Sequence, residues 1–253
     1  MDKKLKILLV NDDGISSPGI VHLAEMAMQL GEVWVAAPSS QCSAMSQKLT
    51  IFQPLDVEEY DFPLPVAGAY SIGGTPADCV KTALKALLPI RPDVVFSGIN
   101  IGYNAGFDIA YSGTVAAAME AGWGGGGGAM EAVMNGIPAI AFSAQHDGSY
   151  DVTDRYILDI ARELLAAPLA PGEIWNVNFP GCPLDEFKGI LHERTIAPKF
   201  IFDNTYSANH RSGGMTLIPD ADFIAHGDAP AGSDIEAVLH GYISIGKVKS
   251  MVL

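Results

Sequence analysis

The sequence is poor in cationic side chains, in cysteine and in aromatic residues, and it has no long apolar run. Of 253 residues, 15 are Lys or Arg against 29 Asp or Glu, giving a net charge of −14. A protein that coats nucleic acid needs the opposite balance, because its affinity comes from neutralising phosphates. No nucleic-acid polymer is therefore expected as a partner. An anionic substrate would need a local offset to this field, and a divalent cation supplies one. The three cysteines, Cys42, Cys79 and Cys182, form no CxxC pair and no zinc-type spacing, which fits reduced thiols in a cytoplasmic protein. Although 49% of the residues are hydrophobic, no run approaches the ~20 residues of a membrane span. The opening MDKKLK is basic, but no apolar segment with a cleavage-type sequence follows, so no signal peptide is expected. GxGxxG, GxxxxGK[ST] and GxSxG are all missing, which disfavours a dinucleotide site, a P-loop and a serine hydrolase of the nucleophile-elbow type.

What is present is an alternation of strand and helix signals over the first 180 residues. Ile7–Val10, Val33–Ala37, Asp93–Phe96, Pro138–Phe142 and Ile174–Asn178 are short apolar runs without period-2 alternation, as parallel strands covered on both faces require. Ser17-Pro18 and Thr75-Pro76 are N-cap and N1 pairs opening helices, and Ser112–Ala121 and Thr153–Ala166 are two more. The pattern predicts an α/β fold of the Rossmann-like, doubly wound kind, with a mostly parallel sheet. Residues 1–180 form the expected catalytic domain. Residues 181–253 form a smaller β-rich C-terminal extension suited to oligomerisation, with a strand in ILHERTI, an irregular stretch from Pro198 to Gly232 and a helix over Asp234–His240.

One segment breaks the pattern. AMEAGWGGGGGAMEA repeats AMEA at Ala118–Ala121 and Ala129–Ala132 around five consecutive glycines. Glycine costs about 1 kcal/mol per helical position relative to alanine, so Gly124–Gly128 should not extend the helix before it. Removing Gly122–Ala132 leaves an unbroken helix leading into a strand, the signature of an insertion or duplication forming a surface loop.

In doubly wound sheets ligands bind beyond the carboxyl ends of the strands. The first strand delivers Asn11, Asp12, Asp13 and Gly14. The second delivers Ser43 within SSQCSAMS, and the third Asn100 and Asn104 within SGINIGYNAG. Ser143 and Asn178 end the next two. Carboxylate, hydroxyl and amide oxygens are hard ligands, suited to Mg, Mn or Ca rather than zinc. Ser112, Gly113 and Thr114 open a helix, where free N–H groups and the dipole favour an anion. Cation and anion cradle together point to a phosphate. Each element also has a plainer reading, with Asn100 and Asn104 satisfying a turn and Ser112 an ordinary cap. The six histidines show no metal or triad spacing; only His210 with Arg211 is a possible substrate contact.

Taken together, ILLVNDDGISSPGI, GGTPADCVKTAL, DVVFSGINIGYNAGFDIAYSGTVAAAMEA and NGIPAIAFS resemble the stationary-phase survival protein E (SurE) family, with NVNFPG and HGYISI adding to the likeness. The resemblance implies a metal-dependent 5′-nucleotidase, hydrolysing nucleoside 5′- or 3′-monophosphates by metal-activated water. It implies one divalent ion per subunit, Mg or Mn with Ca as a possible occupant, held by Asp12, Asp13, Ser43 and Asn100. Asp12 and Asp13 are also the catalytic candidates, one or the other accepting the proton of the attacking water. Asn104, Ser112, Gly113 and Thr114 would lie at the substrate phosphate. It implies a homodimer or homotetramer with the C-terminal segment exchanged between subunits, and no membrane partner. The Gly122–Ala132 segment and the region Phe200–Asp228 depart from the family pattern.

Two other readings are open to the acidic pair. Phosphatases that form a covalent aspartyl intermediate place their acids two apart, whereas these are adjacent. A receiver-type module needs a phospho-accepting Asp after the third strand, where this chain has Ser97-Gly98; a non-catalytic nucleotide-binding role stays open if the Gly122–Ala132 insertion has disabled catalysis.

Overall fold

The computed structural model describes residues 4–123, 136–145, 149–223 and 229–249. In chain order the elements begin with β1 (Leu5–Val10), α1 (Pro18–Ala27), β2 (Gly31–Pro38), β3 (Val57–Glu59), β4 (Gly68–Ile72) and α2 (Pro76–Thr82). They continue with β5 (Val94–Ile101), α3 (Gly113–Trp123), β6 (Ala139–Ala144), α4 (Asp151–Ala166) and β7 (Glu173–Phe179). Last come β8 (Gly189–Leu191), β9 (Phe202–Arg211), β10 (Gly214–Phe223), α5 (Asp234–Leu239) and β11 (Tyr242–Lys249).

The main sheet runs β3-β4-β2-β1-β5-β6-β7-β11-β8. From β4 to β7 every pairing is parallel. The apolar runs form central strands because both faces are covered. Ile7 and Leu9 of β1 enter one core with Ile20, Leu23 and Ala24 of α1 and Ile157 and Ile160 of α4. Leu8 and Val10 enter the opposite core with Val80 of α2 and Val115, Ala117 and Ala118 of α3. Burying each such side chain contributes roughly 1.5–3 kcal/mol. From β1 the chain winds outward through β2 and β4, then crosses back to β5 and winds the other way. The switch point therefore lies between the ends of β1 and β5.

The C-terminal extension is continuous with this sheet. β11 pairs antiparallel with β7, and β8 pairs parallel with β11. Pro198–Gly232 is not irregular as the sequence suggests, for it contains the antiparallel hairpin β9–β10. From Thr205 to Pro219 its side chains are exposed on both faces, so no burial periodicity marks the strands; only backbone pairing does. The short edge strand β3, exposed throughout, and its neighbour β4, half-exposed, escape sequence reading for a similar reason.

Helix α3 extends to Trp123, past Gly122. Gly124–Gly128 and the second AMEA fall outside the described residues. On either side of them the chain is close together: the Ile137 amide donates to the Ala121 carbonyl at 3.2 Å. This junction lies at the C-terminal end of α3, about 15 Å along the helix from Ser112.

Candidate active site at the β1–β5 switch point

Asn11 leaves β1 fully buried, and its amide donates to the Gly14 carbonyl and the Ser17 hydroxyl, both at 2.9 Å. Ser17 precedes α1 in extended conformation, yet its side chain makes no capping bond; the hydroxyl serves Asn11 instead. Gly14, at φ +96°, turns the chain so that Ile15 reaches the Pro38 carbonyl at the end of β2. An L side chain rarely adopts that φ. The two acids are thus held on the rim instead of continuing the strand.

Asp12 is 4% exposed. Its carboxylate accepts from the Thr114 hydroxyl and is further favoured by the Thr114 backbone amide. Its own carbonyl accepts from the Cys42 amide at 2.7 Å, which fixes the start of the Ser43 loop beside it. The carboxylate sits so close to Gly113 that a Cβ there would stand 2.8 Å from Asp12 Oδ2. Only glycine admits this approach. Asp13 accepts from the Ile101 amide at 3.2 Å, tying it to the residue after Asn100. Asn100 is presented by an irregularity in β5, where pairing with β6 shifts register between Ser97 and Asn100.

Burial raises the Asp12 carboxyl to about 6; the Thr114 hydrogen bond offsets part of this and the charge of Asp13 adds to it. Burial also raises Asp13, against hydrogen bonds from Ile101 and Gln41. Among the described residues no cation pairs with either acid. Two adjacent, half- to fully buried carboxylates without a counter-charge fit a bound hard cation.

A cavity of about 510 Å³ opens here, lined by Asp12, Ser43, Asn100, Asn104 and Ser112 and by the aromatic rings of Tyr111, Phe200, Phe202 and Tyr206. Asn104 is locked from behind. Its amide N–H donates to Asn178 Oδ1, its carbonyl accepts from Asn176 and Asn178, and its side chain donates to Ser143, all at 2.8–3.0 Å. Ser112 caps α3 by accepting from the Val115 amide at 3.0 Å while also lining the cavity.

Thr114 does not face the cavity; it is fully buried and its hydroxyl is committed to Asp12. The Asp12 carboxylate lies against the first residues of α3, beside Gly113 and Thr114. His210 and Arg211 stand exposed on β9 and do not line the cavity.

Sequence reasoning missed Asp78. Its buried carboxylate accepts from the Thr50 amide and hydroxyl and from the Thr75 amide, at 2.8–3.0 Å. Thr75 in turn donates to the Lys48 carbonyl. These bonds pin the far end of the Ser43 loop to α2. The spacing of Thr75 and Asp78, that of a capping box, was the available signal.

The family described as survival protein SurE matches residues 7–126 and 122–199 of this chain. The chain belongs to the SurE family. The match divides at the glycine run, where the sequence repeats AMEA. This SurE-family chain is 37% identical over 243 residues to a 5′-nucleotidase SurE of Heliobacterium modesticaldum, covering 95% of this chain and 85% of the relative. It is 36% identical over 247 residues to a 5′-nucleotidase SurE of Protochlamydia amoebophila, covering 97% and 90%. The crystal structure of a SurE protein from Aquifex aeolicus superposes with a TM-score of 0.76 at 35% identity, covering 98% and 94% of the two chains.

Proposed function

We propose that the cavity is the active site of a metal-dependent phosphomonoesterase that hydrolyses nucleoside 5′-monophosphates, and 3′-monophosphates as well, to nucleoside and phosphate. The chain is a 5′-nucleotidase, the activity named for both relatives. The observation that carries the metal-dependent reading is the buried Asp12 carboxylate, with no cationic partner among the described residues, in the same cavity as Ser112.

Asp12, Asp13, Ser43 and Asn100 would hold one divalent ion, Mg or Mn, which when bound acidifies a water ligand and polarises a phosphoryl oxygen. The Ser112 hydroxyl, the Asn104 side chain and the Gly113 amide, which has no helical acceptor before it, lie at the phosphoryl oxygens. Charge stabilisation there supplies most of the catalysis in phosphoryl transfer. The Asp12–Asp13 pair takes up the proton lost by the attacking water. Thr114 acts through Asp12, holding the carboxylate in place.

The exposed hairpin β9–β10, with Tyr206, Met215, Leu217 and Ile218 open to solvent, is the segment by which subunits exchange into a homodimer or homotetramer. No described helix is long and apolar enough to cross a membrane, and the reduced-thiol composition suits the cytoplasm.

The test is phosphate release from nucleoside monophosphates with Mn, with Mg and with chelator, for the wild type and for Asp12→Asn and Asp13→Asn. Activity should need the cation and be lost in both folded variants. Full activity of both variants under chelator would overturn the proposal.

A further inference from the structure

Asp12 and Asp13 follow β1 directly and Asn100 lies within β5, so the sheet itself positions them. Ser43 stands apart, in an exposed loop several residues beyond the end of β2 at Pro38. A hydroxyl on a free loop would have to be ordered by its ligand, and that ordering weakens binding. The loop is in fact fastened on both sides of Ser43. Before it, the Cys42 amide donates to the Asp12 carbonyl at 2.7 Å. After it, Ser46 bonds twice to the turn that leads into α3. Its amide donates to the Tyr111 carbonyl at 3.1 Å, and its hydroxyl donates to the Ala110 carbonyl at 3.0 Å.

The Tyr111 carbonyl and the Ser112 amide belong to one planar peptide group, so Ser46 grips the backbone unit that carries Ser112. The turn is the rigid side of this contact. Asp108 accepts from the Ile201 and Phe202 amides, and Asp234 accepts from the Gly106 and Ala197 amides at 2.8 and 2.9 Å. The loop is the side that yields. Ala44 has φ +56° and Ser46 φ +50°, a region that side chains other than Asn and Asp seldom enter. Such backbone persists only where its surroundings over-determine it, and it gathers at ligand clamps. The two Ser46 bonds supply that constraint, and the residue they hold is Ser43, on the cavity wall with Asp12, Asn100 and Ser112.

Resting on the metal-dependent reading of the site, we propose that Ser46 is a positioning residue acting through Ser43: it latches the loop to the Tyr111–Ser112 peptide group and so sets Ser43 for the cation in advance of binding. The cost of ordering the loop is met on folding, by bonds to a turn that is braced independently. Loss of the latch therefore loosens the loop and leaves the turn and the start of α3 in place.

Calorimetric titration of the full chain with Mg, paired with amide hydrogen exchange under chelator, tests the latch. Ser46→Ala loses the hydroxyl bond to Ala110, and Mg affinity should fall about fivefold, the worth of one neutral hydrogen bond. Ser46→Gly takes the same φ without strain but also lacks the hydroxyl, and it should lose Mg affinity too. Ser46→Asn tolerates this backbone region and carries a donor, so it should recover binding. In the metal-free wild type the Ser46 amide should be protected from exchange. In Ser46→Ala exchange should quicken over Cys42–Lys48 and stay unchanged over Ser112–Ala116. Unaltered Mg affinity in both the Ala and the Gly variant would overturn the latch, as would a Ser46 amide unprotected in the metal-free wild type. Equal quickening over both segments would place the damage in the turn and overturn it as well. A wild type that takes up no Mg would overturn the metal-dependent reading and the latch with it, a result distinct from one seen in the variants alone.

Discussion

The hydroxyl of Thr114 donates to the carboxylate of Asp12 across 102 residues of sequence. It joins the start of α3 to the end of β1 and partly offsets the cost of burying that acid. Replacing it tests the link directly. Thr114→Val keeps the side-chain shape but leaves Asp12 without this donor, so the carboxyl should rise further above about 6. Loss of a hydrogen bond to a charged group should cost roughly 1.5–3 kcal/mol, read in urea unfolding with the cation removed, and divalent affinity should weaken in calorimetry.

Gly113→Ala puts a methyl group 2.8 Å from Asp12 Oδ2. The carboxylate must move, and a displacement near 1 Å can cost about 100-fold in rate. The expected result is a loss of kcat/KM of that order with a circular dichroism spectrum like the wild type's. Retention of full activity would mean that the position of Asp12 is not critical.

Without a cation, Asp12 is a stability cost whose sign follows from its shift. The folded protein binds this proton more tightly than the unfolded chain, so the cost is absent below the ordinary value of 3.8 and fully present above about pH 6. Its size is on the order of 3 kcal/mol. Under chelator, Asp12→Asn should melt higher than the wild type at pH 8, and the gap should close towards pH 4. Added Mn should raise the wild-type melting temperature and leave the variant unchanged. Thermal melts across this range check the prediction, which fails if the gap is independent of pH.

Asp78→Ala removes the acceptor that holds Thr50 and Thr75. Several donors lose a buried charged partner together, so a destabilisation of about 3 kcal/mol is expected. The Ser43 loop should also become accessible to protease in limited digestion before the rest of the chain.

Deleting Gly122–Ala132 should leave the fold and kcat/KM intact. The Ile137 amide already reaches the Ala121 carbonyl, so the shortened chain can close the same helix end. A large loss of activity would give the glycine segment a role at the site.

How much of this was legible in the sequence depended on burial. β1, β2, β5, β6 and β7 are covered on both faces, so their apolar runs marked them, and the acids and amides after them marked the rim. The hairpin β9–β10, the edge strand β3 and its neighbour β4 are polar or half-exposed, and nothing periodic in their residues distinguishes them from loops.

The sequence by itself determined the class of fold, the family and the oxygen-rich character of the rim, because local runs, caps and motifs are written in neighbouring residues. Only the tertiary structure decided which partner each rim residue has: Thr114 for Asp12, Asn178 and Ser143 for Asn104, and Asp108 for the backbone around Phe200. Those pairings join segments far apart in the chain, and their geometry exists only once the sheet has brought the strand ends together.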